Sequence, residues 1–303
     1  MGQLVSILGV SHNPWLARMT QPKPEDPVVT RVRAAFEEQR QALDRARPDV
    51  LLCLGNDHFG QLFMDNMPAF LVGKSPLSKG TFPWEHKWNS PDYTAKTDTD
   101  LALAIIRKGF EHGVDFAYSD EFVMDHAFTL PLTFLRPQAD LPIVAVFGNV
   151  MAPPLPSARR FHQVGEVLAT IIESYPRNTR VAVVCSGHMS TEIGGPREMH
   201  PDAEFDAWAM RLLGQGLYDE AMQGFTPERL LRAGNYTNGF LIFVMLMGLA
   251  RNAPADLFEL LDLQVCRLPF LRWGLHTRSG VASTVSAGVV PTQRNEAGAP
   301  WAR

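Results

Sequence analysis

Two patterns of hydrophobic and polar positions alternate along the chain. Short unbroken apolar runs, closed by turn residues, have the signature of strands buried on both faces of a sheet. They occupy Leu4–Gly9, Leu51–Leu54, Pro68–Gly73, Phe116–Ser119, Pro142–Asn149 and Arg180–Cys185. Between them lie stretches with apolar residues at helical spacing and charges opposite: Val28–Ala46, Thr97–Gly113 behind an Asp/Thr cap, and Ser157–Tyr175. From Ala203 to about Leu261 the pattern is mostly helical, with Thr226-Pro227 as a helix start. Alternation of this kind predicts an α/β fold: a single domain around a largely parallel central sheet, helices on both faces, and a helical C-terminal part. The domain is expected to span 1–287, with 288–303 a flexible or partner-wrapped tail rich in Pro, Gly, Asn and Ala. Lys74–Tyr93, with Phe82, Trp84 and Trp88, breaks the alternation and reads as a long functional or partner-facing loop.

Composition narrows the class of partner. A chain of 303 residues with 46% hydrophobic content can bury a substantial core. Its formal net charge of −4, without Lys/Arg runs, argues against nucleic acid or an anionic membrane surface as partner. The longest apolar run, Phe240–Ala250, is too short to cross a bilayer. Cys53, Cys185 and Cys266 are far apart, the first two inside apolar strands, and read as core residues of a reducing compartment. The start of the chain does not resemble a secretory signal, and the expected localisation is cytoplasmic. No GxSxG elbow or comparable nucleophile motif points to a serine or cysteine hydrolase.

Candidate chemistry is concentrated at strand ends. The stretch DVLLCLGNDHFG, Asp49–Gly60, sets the pattern: an apolar strand, Gly55, then Asn56, Asp57 and His58. In open α/β sheets, ligands bind just beyond the carboxyl ends of strands. His12 follows the first strand in a loop that Pro14 keeps out of helix, and His188 follows Arg180–Cys185. One such histidine is most simply a solvated turn residue; three at equivalent places are much harder to reach by chance. Parallel strands would aim all three at one edge of the sheet, and clustered neutral imidazoles with carboxylates nearby suggest a metal. Two histidines and a carboxylate with open positions suit non-haem Fe(II), while zinc hydrolases draw on the same residue types.

The order of the motifs is more specific than any one of them. SHNP (Ser11–Pro14), NDH with a downstream phenylalanine (Asn56–Phe63), DHAFTLPL (Asp125–Leu132) and SGHMS (Ser186–Ser190) come first. GPR (Gly195–Arg197), Phe205-Asp206 and AGN (Ala233–Asn235) follow, so that the set runs from residue 11 to about 250. In this order and spacing the chain resembles the class III extradiol ring-cleavage dioxygenases, those like the protocatechuate 4,5-dioxygenase β subunit. The resemblance implies an Fe(II) cofactor held by His12, His58 and a glutamate. It implies a catechol-like or aminophenol-like aromatic and O2 as substrates, with the ring cleaved beside its two hydroxyls. His126 matches a family histidine that contacts substrate and assists proton transfer, and Ala127–Leu135 after it is expected to form a helix over the pocket. An imidazole titrating near neutrality suits a catechol that must lose protons to chelate. A homo-oligomer, or a hetero-oligomer with a second subunit, is also expected.

Two positions depart from the family pattern. The acid/base histidine of the family falls on Thr191, leaving His188, three residues earlier, as the available imidazole. The family's glutamate ligand falls on Gly239, in AGNYTNGF, with Asn238 beside it. A third ligand would then come from Asn238, or from Asp57, Glu192 or Glu198, the nearest carboxylates by sequence context. The catalytic candidates are therefore His126, His188 and Thr191, and the metal candidates His12 and His58. Two other readings stay open: a non-catalytic partner subunit of such an enzyme, and a member turned to non-oxidative chemistry such as hydrolysis or decarboxylation, with another divalent metal or none.

Overall fold

The structure, a computed structural model, describes residues 1–20 and 26–274 together with the backbone of Val289 and Val290. Eleven strands are described: β1 (Gln3–Ser11), β2 (Val50–Gly55), β3 (Phe70–Gly73), β4 (Leu77–Gly80), β5 (Tyr93–Lys96), β6 (Ala117–Ser119), β7 (Ile143–Gly148), β8 (Arg180–Gly187), β9 (Leu257–Asp262), β10 (Arg267–Gly274) and β11 (Val289–Val290). Nine of them form one sheet in the order β11-β9-β10-β1-β8-β2-β7-β3-β6. Its middle, β1-β8-β2-β7, is wholly parallel. Antiparallel pairs join β10 to β1 and to β9, and β3 to β7. Every residue of β2 and β7 is buried, which is why these strands are continuous apolar runs rather than alternating ones.

Helices cover both faces. They are α1 (Pro27–Ala46), α2 (Thr99–Glu111), α3 (His126–Leu135), α4 (Ala158–Glu173), α5 (Ala203–Gln215), α6 (Tyr218–Gly224), α7 (Pro227–Ala233) and α8 (Leu241–Leu249). The period of two along the strands sorts their side chains between two cores. Leu8, Cys53, Phe147 and Val184 pack under α1 and α3; Ile7, Leu52, Val146 and Val183 pack under α4 and α8. Helix starts follow the sequence signals: Asp26 accepts from Val28 and Val29 N–H ahead of Pro27, and Thr226 caps α7 ahead of Pro227. All nine residues of α8 are buried, as an all-round apolar helix requires. It lies so close to α4 that a Cβ on Gly165 would meet the Met245 carbonyl oxygen, and one on Gly248 that of His162. Among the described residues no helix is long and apolar enough to cross a membrane.

The expected α/β architecture is present, with three corrections. The helical C-terminal part ends at α8; β9 and β10 form a hairpin that pairs with β1 instead of continuing it. The helical expectation to about Leu261 fails over β9, an outer strand whose half-buried positions break its apolar pattern. Lys74–Tyr93 is not a plain loop, because β4 and β5 pair as a hairpin whose connection carries a 3-10 helix, Pro83–Trp88. The tail expected over 288–303 lies outside the described residues, apart from Val289–Val290, whose backbone pairs with β9. One point of order matters for the site: β8 stands between β1 and β2.

Candidate metal and substrate site

Three adjacent parallel strands bring their carboxyl ends to one edge of the sheet, and each is followed by a histidine. Ser11 of β1 pairs with Gly187 of β8, so His12 and His188 leave the sheet side by side. Their ring centroids are 4.2 Å apart. Leu54 of β2 pairs with Cys185, which brings His58 to the same edge, 5.3 Å from His12 and 6.1 Å from His188 between ring centroids. One ring nitrogen from each of His12, His58 and His188 lies within 4.8 Å of the other two. His126 arrives from the first turn of α3 and stacks on His58 at 4.1 Å with 23° between the planes. In the sheet, the strands that His12 and His58 follow are not adjacent: the neighbour of both is the strand carrying His188.

Fixed acceptors orient three of the rings. Ser186 Oγ donates to the Ala127 carbonyl, which leaves its oxygen to accept from His12 Nδ1 at 2.8 Å. His12 Nε2 is then a bare lone pair, and it is buried with no partner among the described residues. Asp125 Oδ2 accepts from His58 Nδ1 at 2.7 Å and from the His58 backbone N–H at 2.8 Å, while Oδ1 caps α3 at Ala127 N–H. Glu85 Oε1 accepts from His126 Nδ1 at 2.6 Å and from its backbone N–H at 2.8 Å. The other oxygen of Glu85 accepts from Phe82 N–H, so the buried carboxylate is satisfied on both sides. His126 Nε2 is likewise buried and unpartnered. An imidazole whose Nδ1–H is donated to a carboxylate or hydroxyl offers Nε2 as ligand or acceptor, and tautomer and orientation are fixed together.

Burial keeps His12, His126 and His188 neutral. Burial first, then the neighbouring imidazoles, hold His12 and His188 well below the ordinary histidine range. His126 is lowered to about 3, chiefly by burial and next by His58. Neutral imidazoles with lone pairs turned toward one another are the donor set of a transition-metal site.

His58, His126 and His188 line a cleft of about 520 Å³, while His12 is fully buried and does not line it. Trp15, Trp84 and Trp88 supply aromatic wall, and the Tyr236 ring lies 5.4 Å from that of His188. The Trp88 ring lies 5.5 Å from His126, edge to face. Arg18, whose guanidinium lies 4.5 Å from the Trp15 ring centroid, and Arg197 bring positive charge to the cleft. So the aromatic-rich Lys74–Tyr93 segment does face the site, through its 3-10 helix.

Of the other sequence candidates, several are placed elsewhere. Thr191 borders the cleft, but its hydroxyl donates to the Met189 carbonyl and its N–H to Thr237. Asp57 is buried, yet one of its oxygens caps the turn at Gly60, Gln61 and Leu62 N–H. Glu192 and Glu198 border the cleft, Glu192 being paired with Arg197 at 2.6 Å. Asn238 does not line the cleft, and Gly239 is packed beneath His188. Sequence reasoning missed Ser186, Glu85 and Tyr236. Ser186 sits inside the SGHMS motif, where its position at the end of a strand was a usable signal; Glu85 lies 41 residues from His126 in a segment without periodicity.

Comparison with known proteins gives concordant results. The model of the family described as the catalytic LigB subunit of aromatic ring-opening dioxygenase matches residues 6–263. A 2,3-dihydroxyphenylpropionate/2,3-dihydroxicinnamic acid 1,2-dioxygenase of Klebsiella pneumoniae (strain 342) is 29% identical over 208 residues, 68% of this chain and 62% of the relative. The protein of the same name from Rhodococcus jostii (strain RHA1) is 30% identical over 194 residues, 64% of this chain and 58% of the relative. The match thus spans about three fifths of the length of these curated relatives. Among solved structures, the uncharacterized protein JW3007 of Escherichia coli K12 shares the fold, with a TM-score of 0.56 and 14% identity over 89% of this chain and all of that one.

Proposed function

Because the chain belongs to the family of catalytic LigB subunits of aromatic ring-opening dioxygenases, we propose that it opens the ring of a catechol-like aromatic with O2 at the histidine cluster. The observation that carries this reading is the buried, unpartnered Nε2 of His12, turned to the same point as the ring nitrogens of its neighbours. A buried polar atom without a partner is costly, and a divalent ion is the partner that three converging neutral imidazoles select. The donor set fits Fe(II), which His12 and His58 would hold by Nε2, the nitrogen that Ser186 and Asp125 do not engage, with the Asn56 amide, 3.3 Å from His58 Nε2, giving up that contact. When bound, the ferrous ion supplies Lewis acidity toward two vicinal hydroxyl oxygens and a redox partner for O2.

The chain's own residues do the rest. Trp84 and Trp88 confine an aromatic ring against the cluster and exclude water from it. His126 Nε2, kept unprotonated by the hydrogen bond from Nδ1 to Glu85, accepts a substrate hydroxyl proton. The Tyr236 hydroxyl, 3.4 Å from the Asn56 amide nitrogen, is a second polar group over the same floor. Arg18, at the cleft wall, favours a substrate with an anionic side chain, such as the propionate or acrylate tail that the relatives' names specify. Three imidazoles oriented by fixed acceptors beside a roomy cleft also speak against a non-catalytic partner subunit, for which the buried network would serve nothing.

The test is anaerobic loading with Fe(II), then 2,3-dihydroxyphenylpropionate and unsubstituted catechol as probes. Consumption of one O2 per aromatic, with a ring-opened product, is the expected result. Fe(II)-loaded protein that consumes no O2 with any catechol would remove the reading.

A further inference from the structure

The three donors nearest one another are all histidines, and among the described residues Asp125 is the one carboxylate that belongs to a close donor set. Asp125 and Glu85 are occupied by the Nδ1 nitrogens of His58 and His126 and Glu192 by Arg197, while Asp57 gives one oxygen to its turn and its other, buried and unpartnered among the described residues, belongs to no close donor set. His188, by contrast, makes no hydrogen bond to a described residue, and its ring abuts that of His12. The backbone beneath it explains why there is room. A Cβ built on Gly239 would stand 3.4 Å from both Cβ and Cδ2 of His188 and 3.7 Å from Tyr236 Cε1. The side chain of residue 188 therefore fills the space into which any longer side chain at 239 would have to grow. Register completes the argument, because Ser11 and Gly187 are paired across β1 and β8 and fix His12 and His188 as neighbours.

We infer that His188 is the third metal ligand, so that the site is a triad of neutral imidazoles from His12, His58 and His188, with the third ring standing where a side chain longer than alanine's at 239 would grow. The inference rests on the metal-centred reading above and specifies it. A second set of close donors, His58, Asp125 and His126, is a weaker choice. Its carboxylate already accepts two hydrogen bonds from His58, and coordination there would have to break the contact that orients that ring. Three neutral donors leave the full charge of a divalent ion for the substrate to meet. Such a site favours a chelating catecholate, and in its absence another anion, more than a site with a carboxylate ligand would.

Co(II) is the probe, titrated anaerobically and followed by its visible absorption. His188→Ala should weaken Co(II) binding by more than about tenfold, comparably to His12→Ala, with an unchanged far-ultraviolet circular dichroism spectrum. The double variant His188→Ala/Gly239→Glu should recover most of the affinity, because the carboxylate would enter the vacated space. X-ray absorption on the Co(II)-loaded parent needs no variant and should fit three imidazoles. His188→Ala binding Co(II) as tightly as the parent, or a fit with two imidazoles, overturns the triad, while loss of binding in His12→Ala would leave the broader metal reading standing. A folded double variant that binds no better than His188→Ala contradicts the shared place of residues 188 and 239. A parent that binds no Co(II) overturns both readings.

Discussion

Each oriented imidazole of the cluster has one nitrogen committed to an acceptor, and that commitment decides what the other nitrogen can do. Asp125→Asn separates this role from helix capping, because an asparagine oxygen can still accept from Ala127 N–H. Its amide cannot serve equally as acceptor for both His58 donors, so the His58 tautomer is no longer fixed. The expected outcome is a fold near that of the parent and a metal affinity lower by about tenfold to a hundredfold, read by competition with a metal-sensitive dye. Glu85→Gln makes the matching change at His126. There the metal content should stay at the parent's level while kcat falls by about a hundredfold, the size of a lost acid–base group. Equal losses of iron and turnover in Glu85→Gln would show that His126 acts through the metal rather than on the substrate.

At the level of elements, the parallel strands and the histidines after them were legible in the sequence for one reason. A strand buried on both faces leaves a continuous apolar run, and the polar residue that ends it stands where ligands bind. His12, His58 and His188 could be collected that way, and His126 came from its resemblance to a family motif. The spatial order of β1, β8 and β2 could not be read, since nothing local in three apolar runs says which lies between the others. Nor could Glu85, whose contact with His126 depends on how the β4–β5 hairpin folds back over α3. Gly239 was legible as a departure but not as a space filled by another side chain. The α4–α8 packing offers a test of the scaffold. Gly165→Ala should lose about 1–3 kcal/mol in urea denaturation, because the new methyl group meets the Met245 carbonyl and the buried helix has little room to retreat. An unchanged midpoint would mean that the two helices are free to separate.

On the scale of the whole molecule, buried charge ties the region bearing the site to the outer hairpin. Asp206, on α5, accepts from Ser190 N–H at 2.8 Å and lies 3.5 Å from an Arg267 nitrogen on β10. Burial outweighs these contacts and pushes the Asp206 carboxyl up to about 6. A carboxyl that holds its proton more tightly folded than unfolded favours the folded state while protonated, and that contribution is lost as pH rises through about 6. Asp206→Asn keeps the acceptor for Ser190 without the titration. Its thermal midpoint relative to the parent should therefore move in the variant's favour between pH 4 and pH 7, roughly the window set by the free and buried values. A gap that stays constant over that range would show that the Arg267 contact keeps Asp206 ionised.

All of these residues matter to function only if the cluster joins both atoms of O2 to a cleaved aromatic ring. The most direct measurement supplies isotopically labelled O2 to the Fe(II)-loaded protein with 2,3-dihydroxyphenylpropionate, traps the product at once by reduction, and weighs it. The account predicts an opened ring carrying oxygen from O2 at both new termini. An intact ring, or an opened one whose new oxygens come only from water, would contradict it.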